Sequence, residues 1–288
     1  GPVSFMRIWD SMCATLLSTG ARRGAMMATL RCDHPDIEDF ITAKQDPREL
    51  RHFNLSVLVS DAFMEAVATD ADWPLVFPNR ELAPIATGDR CLDRVWSGAD
   101  GPVPCRVFRV VRARELWDRI TRANYDTAEP GVLFVDRINQ QNNLAYRENI
   151  TATNPCGEVP LPPYGACNLG SLNLTRFVQR PFTGEASLDL EGIRDTVSIA
   201  VRMLDNVIDA SHFALEKQAE QARGSRRIGL GFTGLGDALI MLGIRYGDEA
   251  SYRVAVQLMQ NIRDTAYRTS IDLARAKGAF PFFEKNAY

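Results

Sequence analysis

The chain has 288 residues, 45% hydrophobic and 24% charged, with 6 cysteines and a formal net charge of -3 at pH 7. This is globular composition with ample apolar material for a core; it excludes a disulfide scaffold, and without a Lys/Arg tract no nucleic-acid polymer is expected as partner. The sequence contains neither an apolar run of about eighteen residues nor a signal peptide, so it reads as cytoplasmic and without a membrane partner.

Apolar residues at Phe5, Ile8, Trp9, Met12 and Leu16 predict a helix that Thr19-Gly20 ends. Gly20 to Gly24, carrying Arg22 and Arg23, reads as a flexible basic turn, and Met26 to Leu30 as a buried strand. Asp33 or His34 can cap a helix with Pro35 at its first position and Ile37, Phe40 and Ile41 inward. Cys32 and His34 do not make a metal site, because two ligands are too few; a cap or packing role is the reading for His34. Asn54 to Val59 alternates as a strand, and Asp61 caps a helix bearing Phe63, Met64 and Val67. Trp73 to Cys105 is irregular, with Leu75 to Phe77 a short strand and Cys91 and Cys105 flanking a hairpin-like insertion. A disulfide there stays open beside the cytosolic default of reduced thiols. Val107 to Val111 reads as a strand, Glu115 to Ala123 as a helix with Leu116, Ile120 and Ala123 inward, and Gly131 to Val135 as a strand buried on both faces. Asp136, Arg137 and Asn139 follow its carboxyl end, where parallel α/β folds place ligands. Further on, Asn168 to Leu174 reads as a strand, Ile193, Val197, Val201, Leu204 and Ile208 mark an amphipathic helix, and Leu258, Ile262, Ala266, Ile271 and Leu273 mark a long one that Gly278 stops. Gly229 to Asp237 is glycine-rich, but its spacing fits neither the dinucleotide nor the P-loop pattern, so close strand–helix packing is the reading. Strands alternating with helices make the fold class α/β.

One loop stands apart. Asn154 to Glu158 places an amide, a thiol and a carboxylate within five residues. Pro155 biases Asn154 away from helix, Gly157 permits torsions that a side chain forbids, and Pro160, Pro162 and Pro163 prevent regular structure. The loop is therefore stiff, and Asn154 and Glu158 are expected to converge on the Cys156 thiol beside a cavity. A second thiol, Cys167, follows eleven residues later. A carboxylate neighbour keeps a thiol protonated, which argues against an ionic nucleophile. None of His34, His52 and His212 is near it in sequence, and the cysteine spacing is not that of a zinc site. A protonated thiol beside a base and an amide suits chemistry in which a hydrogen atom moves.

Asn154-Pro155-Cys156-Gly157-Glu158 followed by Ala166-Cys167-Asn168-Leu169-Gly170-Ser171 resembles the finger loop of the class II, adenosylcobalamin-dependent ribonucleotide reductases. The resemblance continues through Gly1 to Met6, Arg22 to Met27, His34 to Phe40, Phe53 to Val57, Phe134 to Asn139 and Ile228 to Asp237. It implies a ten-stranded α/β barrel of two parallel half-barrels with a central finger loop at about 151–170. The chain, 1–288, would be an internal piece of that one catalytic domain, and Gly1-Pro2-Val3 reads as the middle of a loop. On this resemblance Cys156 is the radical thiol, Glu158 the base for the ribose 3′-hydroxyl, Asn154 a partner of the ribose hydroxyls or the ketone, and Cys167 one member of a reducing dithiol. Asn154, Pro155, Cys156, Gly157 and Glu158 would contact the substrate. Gly20, Arg22, Arg23, Gly24 and Ala25 match the specificity loop between substrate and allosteric nucleotide. The implied cofactor is adenosylcobalamin, with no metal held by the protein itself. The implied partners are a ribonucleotide, a nucleoside triphosphate effector, a thioredoxin-like or other dithiol, and a second copy or complementary chain. The family's second redox cysteine and substrate phosphate loop lie outside this stretch, so the piece alone is not expected to turn over. Two alternatives stand beside this reading: a class I type catalytic subunit served by a separate radical-generating protein, and a nucleotide-binding or assembly module without catalysis.

Overall fold

Chain contacts in the computed structural model, which describes residues 1–16, 24–78, 90–96, 99 and 101–288, separate two units, Gly1–Pro163 and Tyr164–Tyr288. The first begins with helix α1, Pro2–Leu16, so Pro2 and Val3 open a helix and do not sit mid-loop. Proline is tolerated there because a first-turn N–H has no helical acceptor to lose. Met6 and Cys13 are the buried residues of α1, whereas Phe5, Ile8, Trp9, Met12 and Leu16 are all exposed. The predicted apolar stripe therefore exists but faces outward.

Strands β1 (Met26–Arg31), β2 (Phe53–Val59) and β6 (Gly131–Phe134) form a parallel sheet with β2 in the middle. Between them run α2 (Ile37–Thr42), α3 (Asp61–Thr69), the antiparallel sheet of β3 (Asp72–Pro78), β4 (Cys91–Val95) and β5 (Pro102–Arg112), and α4 (Ala113–Thr127). Phe53, Leu55, Val57 and Val59 of β2 share one core with Ile37, Phe40 and Ile41 of α2, Phe63 and Val67 of α3, and Leu116, Ile120 and Ala123 of α4. Three local expectations change. Neither Asp33 nor His34 caps α2: Asp33 is drawn into an ion pair with Arg31, His34 Nδ1 accepts the Asp36 N–H, and the helix starts at Ile37. Ser60 caps α3 by accepting the Phe63 N–H at 3.1 Å, which puts Asp61 inside the helix. Strand β6 lies at an edge of the described sheet, half-buried with Phe134 exposed, rather than buried on both faces. The insertion is a hairpin as read, but Cys91 stands opposite Arg106 and Cys105 opposite Leu92. Successive strand residues face opposite sides, so the two thiols point apart, and both are free. The unit ends with α5 (Val135–Gln140) and a small hairpin of β7 (Ala152–Thr153) and β8 (Pro160–Leu161).

The second unit pairs β9 (Asn168–Asn173) with β12 (Ile228–Thr233) in parallel. A one-turn 3-10 helix, Leu174–Phe177, leads into the short antiparallel pair β10 (Val178–Gln179) and β11 (Ser187–Leu188). Helices α6 (Leu190–Ala210), α7 (Glu216–Ser225), α8 (Leu235–Met241) and α9 (Glu249–Lys277) complete it. The buried residues of α6 are Ile193, Val197, Val201, Leu204 and Ile208, the stripe read from sequence. Ile193, Val197 and Val201 share a core with Leu258, Ile262 and Leu273 of α9, whereas Ile271 faces outward. Gly229 packs closely against the paired strand β9 rather than against a helix: a Cβ there would stand 2.7 Å from Leu169. No described helix is long and apolar enough to cross a membrane.

Candidate functional site

The residues between β7 and β8 close the hairpin through Asn154. Its N–H donates to Val159 O at 3.2 Å, as a ladder pair would. Its own carbonyl is already taken, accepting the Gly157 N–H at 3.0 Å and the Thr153 hydroxyl at 2.9 Å. The Val159 N–H therefore turns to the Asn154 side chain and donates to Oδ1 at 2.9 Å. Residues 154–157 form a β-turn with Pro155 second, Cys156 third and Gly157 fourth, the places where proline's fixed φ and glycine's freedom favour a type I turn. Gly157 has φ +86°, a region that side chains avoid.

The turn leaves Cys156 exposed and its thiol free, and Glu158 is exposed as well. The expected enclosed thiol beside a cavity is not met within this chain. A hairpin with two paired residues per strand has no second layer of its own to roof its tip. Asn154 braces the turn with Oδ1, while its Nδ2 has no partner among the described residues. Two strands of the parallel sheet also hold the hairpin. Thr29 of β1 donates to Thr151 O at 3.1 Å, and Asn54 of β2 donates through Nδ2 to Pro155 O. The sequence reading missed both anchors. They lie more than 100 positions upstream, and the only local signal was a polar side chain on the outward face of each strand.

Cys167 is half-buried just before β9, in the second unit, with Sγ 3.5 Å from Asn168 O. Gly24 and Ala25 are described; a Cβ on Gly24 would meet the Cys13 thiol at 2.8 Å. Gly20, Arg22 and Arg23 of the predicted specificity loop lie outside the described residues.

The polar groups after β6 have structural partners. Asp136 accepts the Asp61 N–H at 2.8 Å, Arg137 pairs with Asp61 at 3.0 Å, and Asn139 holds both the N–H and the C=O of Ile150. A cavity of about 610 Å³ opens at the carboxyl ends of the three parallel strands. Arg31, Asp33, His34, Phe77, Trp96 and the hairpin base line it, and the hairpin tip does not. Asp33 accepts both forks of Arg31 at 2.7 and 2.8 Å, and Arg31 lies 4.7 Å from the Trp96 ring centre. Burial holds His34 below its ordinary pKa, against the pull of Asp36 and Asp33. The packing role read for His34 is what its contacts with Phe77 and Trp96 provide.

Among the described residues no His, Cys, Asp and Glu cluster could hold a metal ion. A cofactor that brings its own metal ligands needs no such cluster.

A family model described as the ribonucleotide reductase barrel domain matches residues 1–288. The chain is 42% identical over 289 aligned positions to a vitamin B12-dependent ribonucleoside-diphosphate reductase of Mycobacterium tuberculosis, covering 100% of this chain and 38% of that protein. It is 37% identical to a protein of the same name from Thermoplasma acidophilum, over 98% of this chain and 33% of that one. It is 28% identical to a ribonucleoside-diphosphate reductase subunit alpha of Chlamydia trachomatis, over 99% of this chain and 28% of that protein. The chain thus spans little more than a third of the length of the most similar of these relatives.

Proposed function

The chain belongs to the ribonucleotide reductase barrel-domain family, and from that premise we propose that the protein carrying it reduces ribonucleotides to 2′-deoxyribonucleotides for DNA synthesis or repair, with adenosylcobalamin as cofactor. The names of the B12-dependent relatives favour cobalamin and a diphosphate substrate. In this reading both units belong to one catalytic domain, a ten-stranded α/β barrel that encloses the hairpin tip, and the protein is cytoplasmic.

The observation that carries the proposal is the free Cys156 thiol on a turn whose neighbour Asn154 keeps its Nδ2 unspent among the described residues. When bound, adenosylcobalamin supplies the organic radical that takes a hydrogen atom from a thiol; the protein positions and shields. Cys156, as a thiyl radical, removes the ribose 3′ hydrogen. Glu158 takes the proton of the 3′-hydroxyl, a role open to a carboxylate within hydrogen-bond reach. Asn154 Nδ2 donates to the ribose oxygen as the ketone forms. The 2′-hydroxyl leaves as water, and a dithiol to which Cys167 contributes one sulfur supplies two electrons and two protons as it becomes a disulfide; Glu158 then returns its proton to the 3′ oxygen and Cys156 returns the hydrogen atom to C3′. A thioredoxin-like or other dithiol restores that pair. Gly20, Arg22, Arg23, Gly24 and Ala25 serve in this reading as the specificity loop that answers to a nucleoside triphosphate effector. The outward apolar stripe of α1 supports association with a second copy or a complementary chain.

The test is incubation of the complete protein with adenosylcobalamin, a ribonucleotide and a dithiol. Cobalamin-dependent deoxyribonucleotide formation, lost in Cys156→Ala, is the expected result. Activity that needs a metal-containing partner protein instead would favour the class I type, and nucleotide binding without turnover would favour a non-catalytic module.

A further inference from the structure

We infer that Asn54 is a positioning residue for Cys156: through its hydrogen bond to the Pro155 carbonyl it sets where the hairpin tip holds the thiol. The inference rests on the reading of Cys156 as the reacting sulfur.

The two faces of β2 do different work. Phe53, Leu55, Val57 and Val59 pack into the helical core, and Asn54 is exposed on the opposite face. In the parallel register Asn54 stands beside Met27, and Ser56 beside Thr29. Asn54 and Thr29 therefore project from the same face of adjacent strands and grip the hairpin at two heights. Thr29 holds the base at Thr151, and Asn54 holds the tip at Pro155. The gripped carbonyl belongs to the peptide that joins Pro155 to Cys156. A planar peptide carries the next Cα with it, so fixing that oxygen fixes the Cα of Cys156. With two paired residues per strand the hairpin has little rigidity of its own, and without the tip contact it would pivot about its base.

The gripping residue is itself held. Pairing between β2 and β6 begins only at Ser56, so no β6 residue stands beside Phe53, Asn54 or Leu55. Lys44 and Glu129 act there instead. Lys44 Nζ donates to Phe53 O, Glu129 accepts the Leu55 N–H at 3.2 Å, and the two side chains pair with each other at 2.8 Å. One half-buried ion pair thus holds backbone groups on both sides of Asn54.

The comparison uses the complete protein and two substitutions. Asn54→Asp keeps size and shape but presents a carboxylate that cannot donate to the carbonyl; Asn54→Gln keeps the donor. Expected for Asn54→Asp is a kcat about ten- to a hundred-fold lower, the scale of a small misplacement of a reacting group, with KM within about twofold of the wild type. Amide hydrogen exchange at Gly157 and Val159 should quicken, because the turn that protects them loosens. Asn54→Gln should recover most of the lost kcat. Unchanged kcat and exchange in Asn54→Asp, or equal losses in the two variants, would overturn the inference. If the carboxylate prevents folding, Asn54→Ala, which has no donor either, carries the same comparison. Should the wild type reduce no ribonucleotide, the functional reading fails, while the exchange measurement still decides whether Asn54 holds the tip.

Discussion

Asn154 combines two roles that substitution can separate. Its Oδ1 completes the hairpin, and in the function proposed above its Nδ2 is the donor offered to substrate. Asn154→Asp retains an acceptor for the Val159 N–H, so the unfolding free energy should stay within about 0.5 kcal/mol of wild type. The donor is lost, and kcat should fall about a hundred-fold or more, as when a donor to a developing oxyanion is removed. Asn154→Ala loses the brace too and should cost about 1 kcal/mol of stability besides. Denaturant titration and steady-state kinetics on both variants check this. Equal stability losses in the two variants would deny the brace. Cys32 gives a second prediction at this scale. Burial first, and then Asp33, push its thiol up to about 12. Its thiolate fraction at pH 8 is therefore on the order of a thousand-fold below that of a thiol at the ordinary value of 9.0. Iodoacetamide followed by peptide mass spectrometry should leave Cys32 unlabelled until denaturant is added; labelling at native pH 8 would contradict its placement.

Among the elements, the join of α6, the end of α7 and α9 is where charge matters. Arg226, in left-handed conformation at the end of α7, pairs with Asp205 at 2.8 Å and Asp209 at 2.7 Å, and Lys277 reaches Asp205 at 2.8 Å. Burial alone would raise the Asp205 pKa, but the hydrogen bonds from Arg226 and Lys277 outweigh it and hold the carboxyl below its ordinary value. The Arg226 hydrogen bond lowers that of Asp209. Both folded values lie below the unfolded ones, so this stabilisation is complete above about pH 4 to 5 and is lost as pH falls through the lowered folded values. Arg226→Gln should therefore flatten the fall in stability between about pH 5 and pH 2. Urea midpoints at several pH values measure it, and an unchanged slope would contradict the network. Element identity was readable here because α6 repeats its apolar residues at helical spacing over 21 residues. Placement was less readable. Periodicity finds an apolar stripe without saying what covers it, so the same signal put α6 against α9 but left the α1 stripe facing outward. An unbroken apolar run suggested full burial for β6, yet burial depends on neighbours, and β6 has one strand partner in the described sheet.

Across the whole molecule, the motif order along the chain carried the family, and the match over residues 1–288 agrees with it. Chemical identity and local stiffness are properties of neighbouring residues, so the sequence by itself determined the α/β class and the set Asn154, Cys156 and Glu158 on a loop that Pro155 and Gly157 keep from helix. Only the tertiary structure decided that Asn154 spends one end of its amide on the hairpin, that Asp136, Arg137 and Asn139 brace backbone and side chains, that Cys91 and Cys105 face apart, and that Asn54 and Thr29 grip the loop from strands far upstream. Those facts depend on which groups meet after folding, and hydrogen-bond partners a hundred residues apart leave no periodic trace in the chain that joins them.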